Sequence, residues 1–438
     1  MKKLYVTSGD IENKQGRKKV AIKRQKLKGN EQIKSPKKST ESIRVNLLNS
    51  IVEWYKGLKI IWKIVIPSAV LLLFVGISGV VFYLNLIKEG SREPLQIANS
   101  HVAAASVNRY YTVNSDTFMV PSLPRDITNP INGELLTKEE FDKIKKFPPV
   151  AVMVENHTAA RPHSGLDKAD VIYEAHAEGG ITRFMAIFWS KSAKEIGPVR
   201  SARQYFVEMM SPYDAYYMHI GGAQRTGNSK TNAIENIYAY GIKTLNTGGT
   251  FWRSSERYAP HNAYSSTEML QNRGASIYGK EYDQTSAWKF KPDALPVKRG
   301  ASTTANVRFI GGLANGGAYD TKWVYEKKTN LYKRFNGGVA HTDLVTGQQY
   351  TAKNVVIMHM DMYFAQTGKG HVVYKTEDNN NKVTILMDGK VITGTWKKEN
   401  RTSRERFLDS KGKEIQLNRG QTWVIMYPYE WGSLDVET

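Results

Sequence analysis

The sequence predicts a membrane-crossing helix near the N-terminus, then an α/β (α+β) domain, then a smaller, mainly antiparallel β domain. Three observations carry this reading. Residues 64–87 contain no charged side chain. Strand-like and helix-like pieces alternate between 150 and about 290. Beyond about 300 short β-rich runs separated by glycine turns take over. A length of 438 residues suits two folded domains with additions. With 41% hydrophobic and 24% charged residues, neither whole-chain disorder nor a polytopic membrane protein fits. Cysteine is absent, which excludes disulfide scaffolds, thiolate metal sites, cysteine nucleophiles and a lipid-modified cysteine anchor.

Residues 1–63 hold 17 Lys/Arg against 5 Asp/Glu and read as a largely disordered basic tail. The rest of the chain is more balanced, with 45 against 36. The 24 residues Ile64–Ile87 are mostly Ile, Val, Leu, Phe and Gly. At helical rise they reach roughly 36 Å, enough to cross a hydrocarbon core of about 30 Å. Pro67 falls in the first turn, where a missing N–H costs little. The run is too long, and too far from the start, for a cleaved signal peptide. Lys56, Lys59 and Lys63 precede it, whereas Lys88, Glu89 and Arg92 nearly cancel after it. The positive-inside rule then places the N-terminus in the cytoplasm and the remainder outside. The expected partners are the bilayer, through 64–87, and anionic lipid headgroups, through the tail. The tail has few aromatics to stack on bases, which argues against nucleic acid.

Small, polar, proline-punctuated residues at 88–136 read as a stalk. Thr137 and Glu140 form a capping box that opens a short helix, and Pro148-Pro149 ends it. The α/β domain is expected over 137–295. Its strand candidates are 150–154, 171–177, 184–189, 215–220 and 244–246, and its helix candidates are 201–210, 230–240 and 265–273. The β domain is expected over 300–438. Asp388-Gly389, between two apolar runs, is the strongest hairpin signal in the chain. Lys411-Gly412 reads as a turn before a second pairing that ends with 421–426.

Charged residues are dense between 155 and 203. In a strand, Asp170, Glu174, His176 and Glu178 alternate onto one face, and a helix would likewise bring Glu174 and Glu178 together. Two carboxylates side by side suit acid/base work. Gly179-Gly180 turns the chain so that Arg183 can fold back toward them. Arg200, Ser201 and Arg203 read as a helix start. Its free N–H groups, flanked by fork-shaped guanidinium donors, would seat a phosphate or carboxylate. Structural ion pairing of these arginines with Glu174 and Glu178 is the competing reading. His219 ends a strand at a glycine turn, and His261 and Asn262 sit in a loop; each suits proton transfer or binding. Gly222–Ser229 resembles a phosphate loop without its lysine, and neither zinc-protease nor serine-elbow spacing occurs. The spacing of His157, His163 and His176 matches no standard metal set, so no metal and no cofactor are expected.

Asn156, Arg161-Pro162-His163-Ser164-Gly165-Leu166, Ala169-Asp170, Tyr173-Glu174 and Glu178–Arg183 resemble the YerB-like family. Gly197–Arg203, Ala259–Asn262, Gly394–Trp396 and Gly420–Trp423 extend the resemblance over roughly 129–430. It implies a bacterial envelope protein, often a lipoprotein, with two domains of unassigned activity. Without cysteine this chain departs from the lipoprotein pattern. The leading expectation is a module that binds an anionic cell-wall group through Asn156, Arg161, Arg183, Arg200, Ser201, Arg203 and Asn262. In that reading Glu174, Glu178, His219 and His261 orient the ligand. The alternatives are a wall hydrolase or lyase using Glu174 and Glu178 with His219 and His261, and a scaffold for envelope proteins using Trp396 and Trp423.

Overall fold

The computed structural model describes residues 56–57, 109–113, 116–120, 123–283, 287–310 and 316–438. Contacts divide the chain into Met1–Val102 and Ala103–Thr438. The span expected at 64–87 lies outside the described residues, as does almost all of the basic tail. Among the described residues no helix is long and apolar enough to cross a membrane.

Within Ala103–Thr438 the frame is a nine-stranded mixed sheet. Its strands are β1 (Val150–Glu155), β2 (Val171–His176), β3 (Thr182–Phe188), β4 (Tyr216–Met218), β5 (Asn354–Met360), β6 (Asp378–Met387), β7 (Lys390–Lys398), β8 (Arg406–Leu408) and β9 (Thr422–Pro428). The order across the sheet is β8-β7-β6-β5-β9-β2-β3-β1-β4. The two halves of the chain meet where β9 runs parallel to β2, with Val424 opposite Tyr173. β1, β2, β4, β5 and β9 all point the same way, so their carboxyl ends share one edge.

The unbroken apolar runs of β1 and β9 mark strands buried on both faces. Val150, Val152 and Val154 enter one core; Ala151 and Met153 enter the other. The first core lies under a smaller sheet formed by 304–308, 321–326, 331–336, 339–340, 351–352 and 433–437. The second core is closed by Tyr205, Phe206 and Met209 of a helix over Gln204–Met210, together with Ile237 of another over Ala233–Ala239.

The molecule is therefore mostly β with few helices, where the alternation had pointed to an α/β arrangement. Among the described residues, three of the four full α-helices span only seven residues: Lys138–Ile144, Gln204–Met210 and Ala233–Ala239. The fourth is Thr267–Tyr278. The expected strand at 244–246 is a single bridge from Thr244 to Tyr217. The segment 421–426 is no hairpin arm but part of central β9, between β5 and β2. Residues 127–136, expected in the stalk, pack on the fold: Ile131 and Leu136 are buried, and Asn132 donates to the Asp170 carboxylate at 2.6 Å. The Thr137–Glu140 capping box forms as expected.

Asp388 and Gly389 both take positive φ, 55° and 68°, and turn β6 into β7. Asp388 also accepts from Lys291 at 2.6 Å, Asn418 at 2.7 Å and Asn330 at 2.8 Å. Burial works to raise its pKa, but the Lys291 ammonium and the two amides outweigh it and hold the carboxyl down at about 2. A depressed carboxyl stabilises the fold while ionised and loses that effect as pH falls through the folded-state value. Asp388→Asn, which tolerates the same φ, is therefore expected to melt below the parent at pH 7. In calorimetry the gap should close between about pH 4 and about pH 2.

Candidate functional site

The shared carboxyl edge of β1, β2 and β4 gathers most of the expected polar residues, and backbone pairing explains how. Glu155 N–H donates to the Pro198 carbonyl and Arg200 N–H to the Met153 carbonyl, both at 2.9 Å. Residues 198–200 thus run beside the end of β1 and set the Arg200 side chain against Glu155, with Nε 3.1 Å from the carboxylate. On the other side Val199 N–H donates to the Ala263 carbonyl at 2.6 Å, which brings the 259–262 loop across. His261 Nδ1 then lies 2.9 Å from Glu155, and its ring stacks on His157 at 4.7 Å with 18° between the planes. Glu155 so orients one imidazole and one guanidinium. The first is placed for proton transfer or hydrogen bonding and the second for an anion. The Arg200 side chain keeps 30% of its exposure, against 5% for Glu155.

Beside this group, Arg203 grips Glu178 through both Nε and Nη2, the latter at 2.6 Å, and spends Nη1 on the Ala202 carbonyl. Arg183 donates to the Ser201 carbonyl at 3.0 Å and stands 3.9 Å from Glu178. Burial, with Arg203 and Arg200 nearby, lowers the Arg183 pKa to about 10, so it stays charged at neutral pH. Burial favours the neutral form of Glu178, but the arginines prevail and its pKa is lowered.

The expected anion seat at Ser201 does not form. The helix begins only at Gln204, its N-cap Arg203 offers no side-chain bond, and Ala202 N–H is already given to the Gly221 carbonyl. Nor do Glu174 and Glu178 make a catalytic pair. Glu178 sits in the turn after β2 with Arg203, whereas Glu174 is sealed in the core beneath the smaller sheet. The acidic face of β2 is thus covered by chain far away in sequence.

The remaining candidates tie structure together. Asn156 is buried, donates to Thr182 and accepts from Arg161 and Asn336. Arg161 lies over the Tyr319 ring at 5.0 Å. Asn262 accepts from Arg253 and donates to the Ser254 carbonyl. His219 donates from Nδ1 to the Gly221 carbonyl, meets Thr244 with Nε2, and is held neutral by burial with a pKa of about 4. Trp396 and Trp423 are fully buried and so offer no recruiting surface. Among the described residues no three His, Asp or Glu gather as metal ligands. Glu155 was missed, although a charge closing an apolar run at a strand's carboxyl end is a readable signal.

Residues 136–279 match the family described as "Protein of unknown function (DUF3048) N-terminal domain", and 313–424 match its C-terminal domain. The chain is 33% identical over 312 residues to a Bacillus subtilis (strain 168) protein named "Putative lipoprotein YerB", covering 70% of this chain and 88% of that one. It is also similar to the crystal structure of YerB protein from Bacillus subtilis, with a TM-score of 0.61 and 29% identity over 70% of this chain and 99% of that one.

One buried ion pair joins the two matched segments. Arg334 Nη2 donates to both Glu174 oxygens at 2.8 Å, and both side chains are fully buried. Trp423 donates to Glu174 at 3.2 Å, and the guanidinium lies 4.7 Å from that Trp423 ring and 5.2 Å from Phe184. Arginine can only donate, so His341 Nδ1 accepts from Nη1, leaving its Nε2 proton for His163 Nδ1 at 2.7 Å. Burial keeps both rings neutral, His163 at about 3 and His341 well below its ordinary value. Arg334→Met would strand a buried carboxylate and is expected to cost about 3–5 kcal/mol in urea unfolding. The double variant Glu174→Leu/Arg334→Met should recover most of that loss.

Proposed function

The chain belongs to the DUF3048 family, two-domain proteins without an assigned activity, and from that membership we propose a membrane-held bacterial envelope protein that binds an anionic wall group outside the cytoplasm. The name of the Bacillus subtilis relative supports an envelope address. A lipid thioether needs a cysteine, which this sequence lacks, so the uncharged 64–87 run takes the role of anchor and the basic tail stays inside. Protease added to intact cells, after removal of the wall, is expected to digest the region 123–438. Protection until the cells are lysed would reverse the proposed orientation.

One observation carries the binding reading: among the described residues the acids paired with Arg183, Arg200 and Arg203 are Glu155 and Glu178, two against three, and Arg200 is the most open of these guanidinium groups. Arg200 is anchored through Nε, which leaves the outer end of the fork for a peptide carboxylate or a polymer phosphate. Arg203 and Arg183 act behind it by holding the local charge positive. Retention of the full chain on purified sacculi is expected to fall several-fold in Arg200→Ala. Arg200→Lys should restore it only in part, because an ammonium lacks the planar fork. Equal retention of parent and alanine variant would rule out this edge as the binding surface.

A further inference from the structure

Beside the carboxyl end of β5 the surface opens into a groove of about 430 Å³ between the 204–210 helix and the short hairpin 362–364/372–374. Tyr363 lines it and is 45% exposed. Around that hairpin three more aromatic rings are left open: Phe364, Tyr429 and Trp431. They are positioned rather than loose. The Trp431 indole donates to the Met362 carbonyl at 2.9 Å and its ring meets Phe364 edge-on at 4.8 Å. The Tyr429 hydroxyl donates to Asp361 at 2.7 Å.

The polar lining is matched within itself. Lys375 stands 3.8 Å from Asp361, and Glu208 accepts from Gln204 at 2.8 Å and from Thr376. Lys230 and Lys375 face Asp361, Glu208 and Glu377, so the groove carries no surplus of positive charge for an anionic polymer. It offers carboxylates, amide and hydroxyl groups beside open aromatic faces. That combination suits a ligand with hydroxyls on its edges and apolar C–H faces. These acids, with Glu430 between Tyr429 and Trp431, balance the nearby lysines, so the patch lacks the basic excess that draws anionic lipid headgroups.

We infer that the groove and its aromatic rim bind a stretch of neutral glycan chain, with a sugar ring stacked on Tyr363 and its hydroxyls bonded to Asp361 and Glu377. The site is separate from the Arg200 edge and uses none of its residues.

The test uses the full chain in lipid nanodiscs and a tetrasaccharide of β-1,4-linked N-acetylglucosamine, read by tryptophan fluorescence. Trp431→Phe identifies the share of the signal that belongs to the rim. Saturable binding is expected, roughly tenfold weaker in Tyr363→Ala and within about twofold of the parent in Tyr363→Phe. Arg200→Ala should leave the affinity unchanged, so failure of the anion reading does not mimic failure here. Parent-like affinity in Tyr363→Ala, or no saturation up to about 10 mM, would overturn the inference. Quenching of the Trp431 signal by brominated lipid would also overturn it and assign the rim to the membrane instead.

Discussion

The structure depends on a charge that cannot be left alone. Glu174 lies in the middle of the central sheet with no exposure, and Arg334, which neutralises it, comes from the other matched segment 160 residues later. Separating two ions in so dry a site is expensive, whereas their mutual pairing roughly offsets desolvation. The pair therefore contributes less to net stability than to correctness. The smaller sheet has to seat where Arg334 reaches Glu174; Thr182 and Trp423 also donate to Glu174, and Thr321 accepts from Arg334. Asn156 and Asn336 repeat the logic with a neutral bond between the same segments.

That seating organises the exposed edge. With β2 and β9 locked in parallel register, the ends of β1, β2, β5 and β9 come out at one rim. The loops there are irregular and held by single backbone bonds to neighbouring strands, which lets side chains such as Arg200 and His261 be aimed from different parts of the chain. An edge where parallel strands end is a common place for ligands, because backbone pairing stops and side chains face solvent. Here the rim divides into an arginine-rich part at β1 and an aromatic part beyond β5 and β9.

The local features were legible. The Thr137 capping box, the Asp388-Gly389 turn, and the apolar runs that become β1, β2 and β9 rest on neighbours in sequence, so periodicity and turn chemistry suffice to find them. The reading failed wherever a distant segment intervened. Alternation put Glu174 and His176 on one face of β2, but nothing local says that Glu174 is roofed by Arg334 while His176 meets the Phe364 ring. Ser201 looked like a helix cap because its residues fit the pattern. Pairing with Gly221 keeps residues 201–203 extended, and Arg203 is drawn instead to Glu178.

By itself, then, the sequence determined most strands of the central sheet, where its tightest turn falls, and that acids and arginines crowd one region. Those follow from short-range sterics and periodicity. Which acid meets which arginine, which face is wet, and which aromatics stay open were decided by tertiary structure. A charge is priced by its surroundings, and for Glu174 those surroundings include Arg334, 160 positions away.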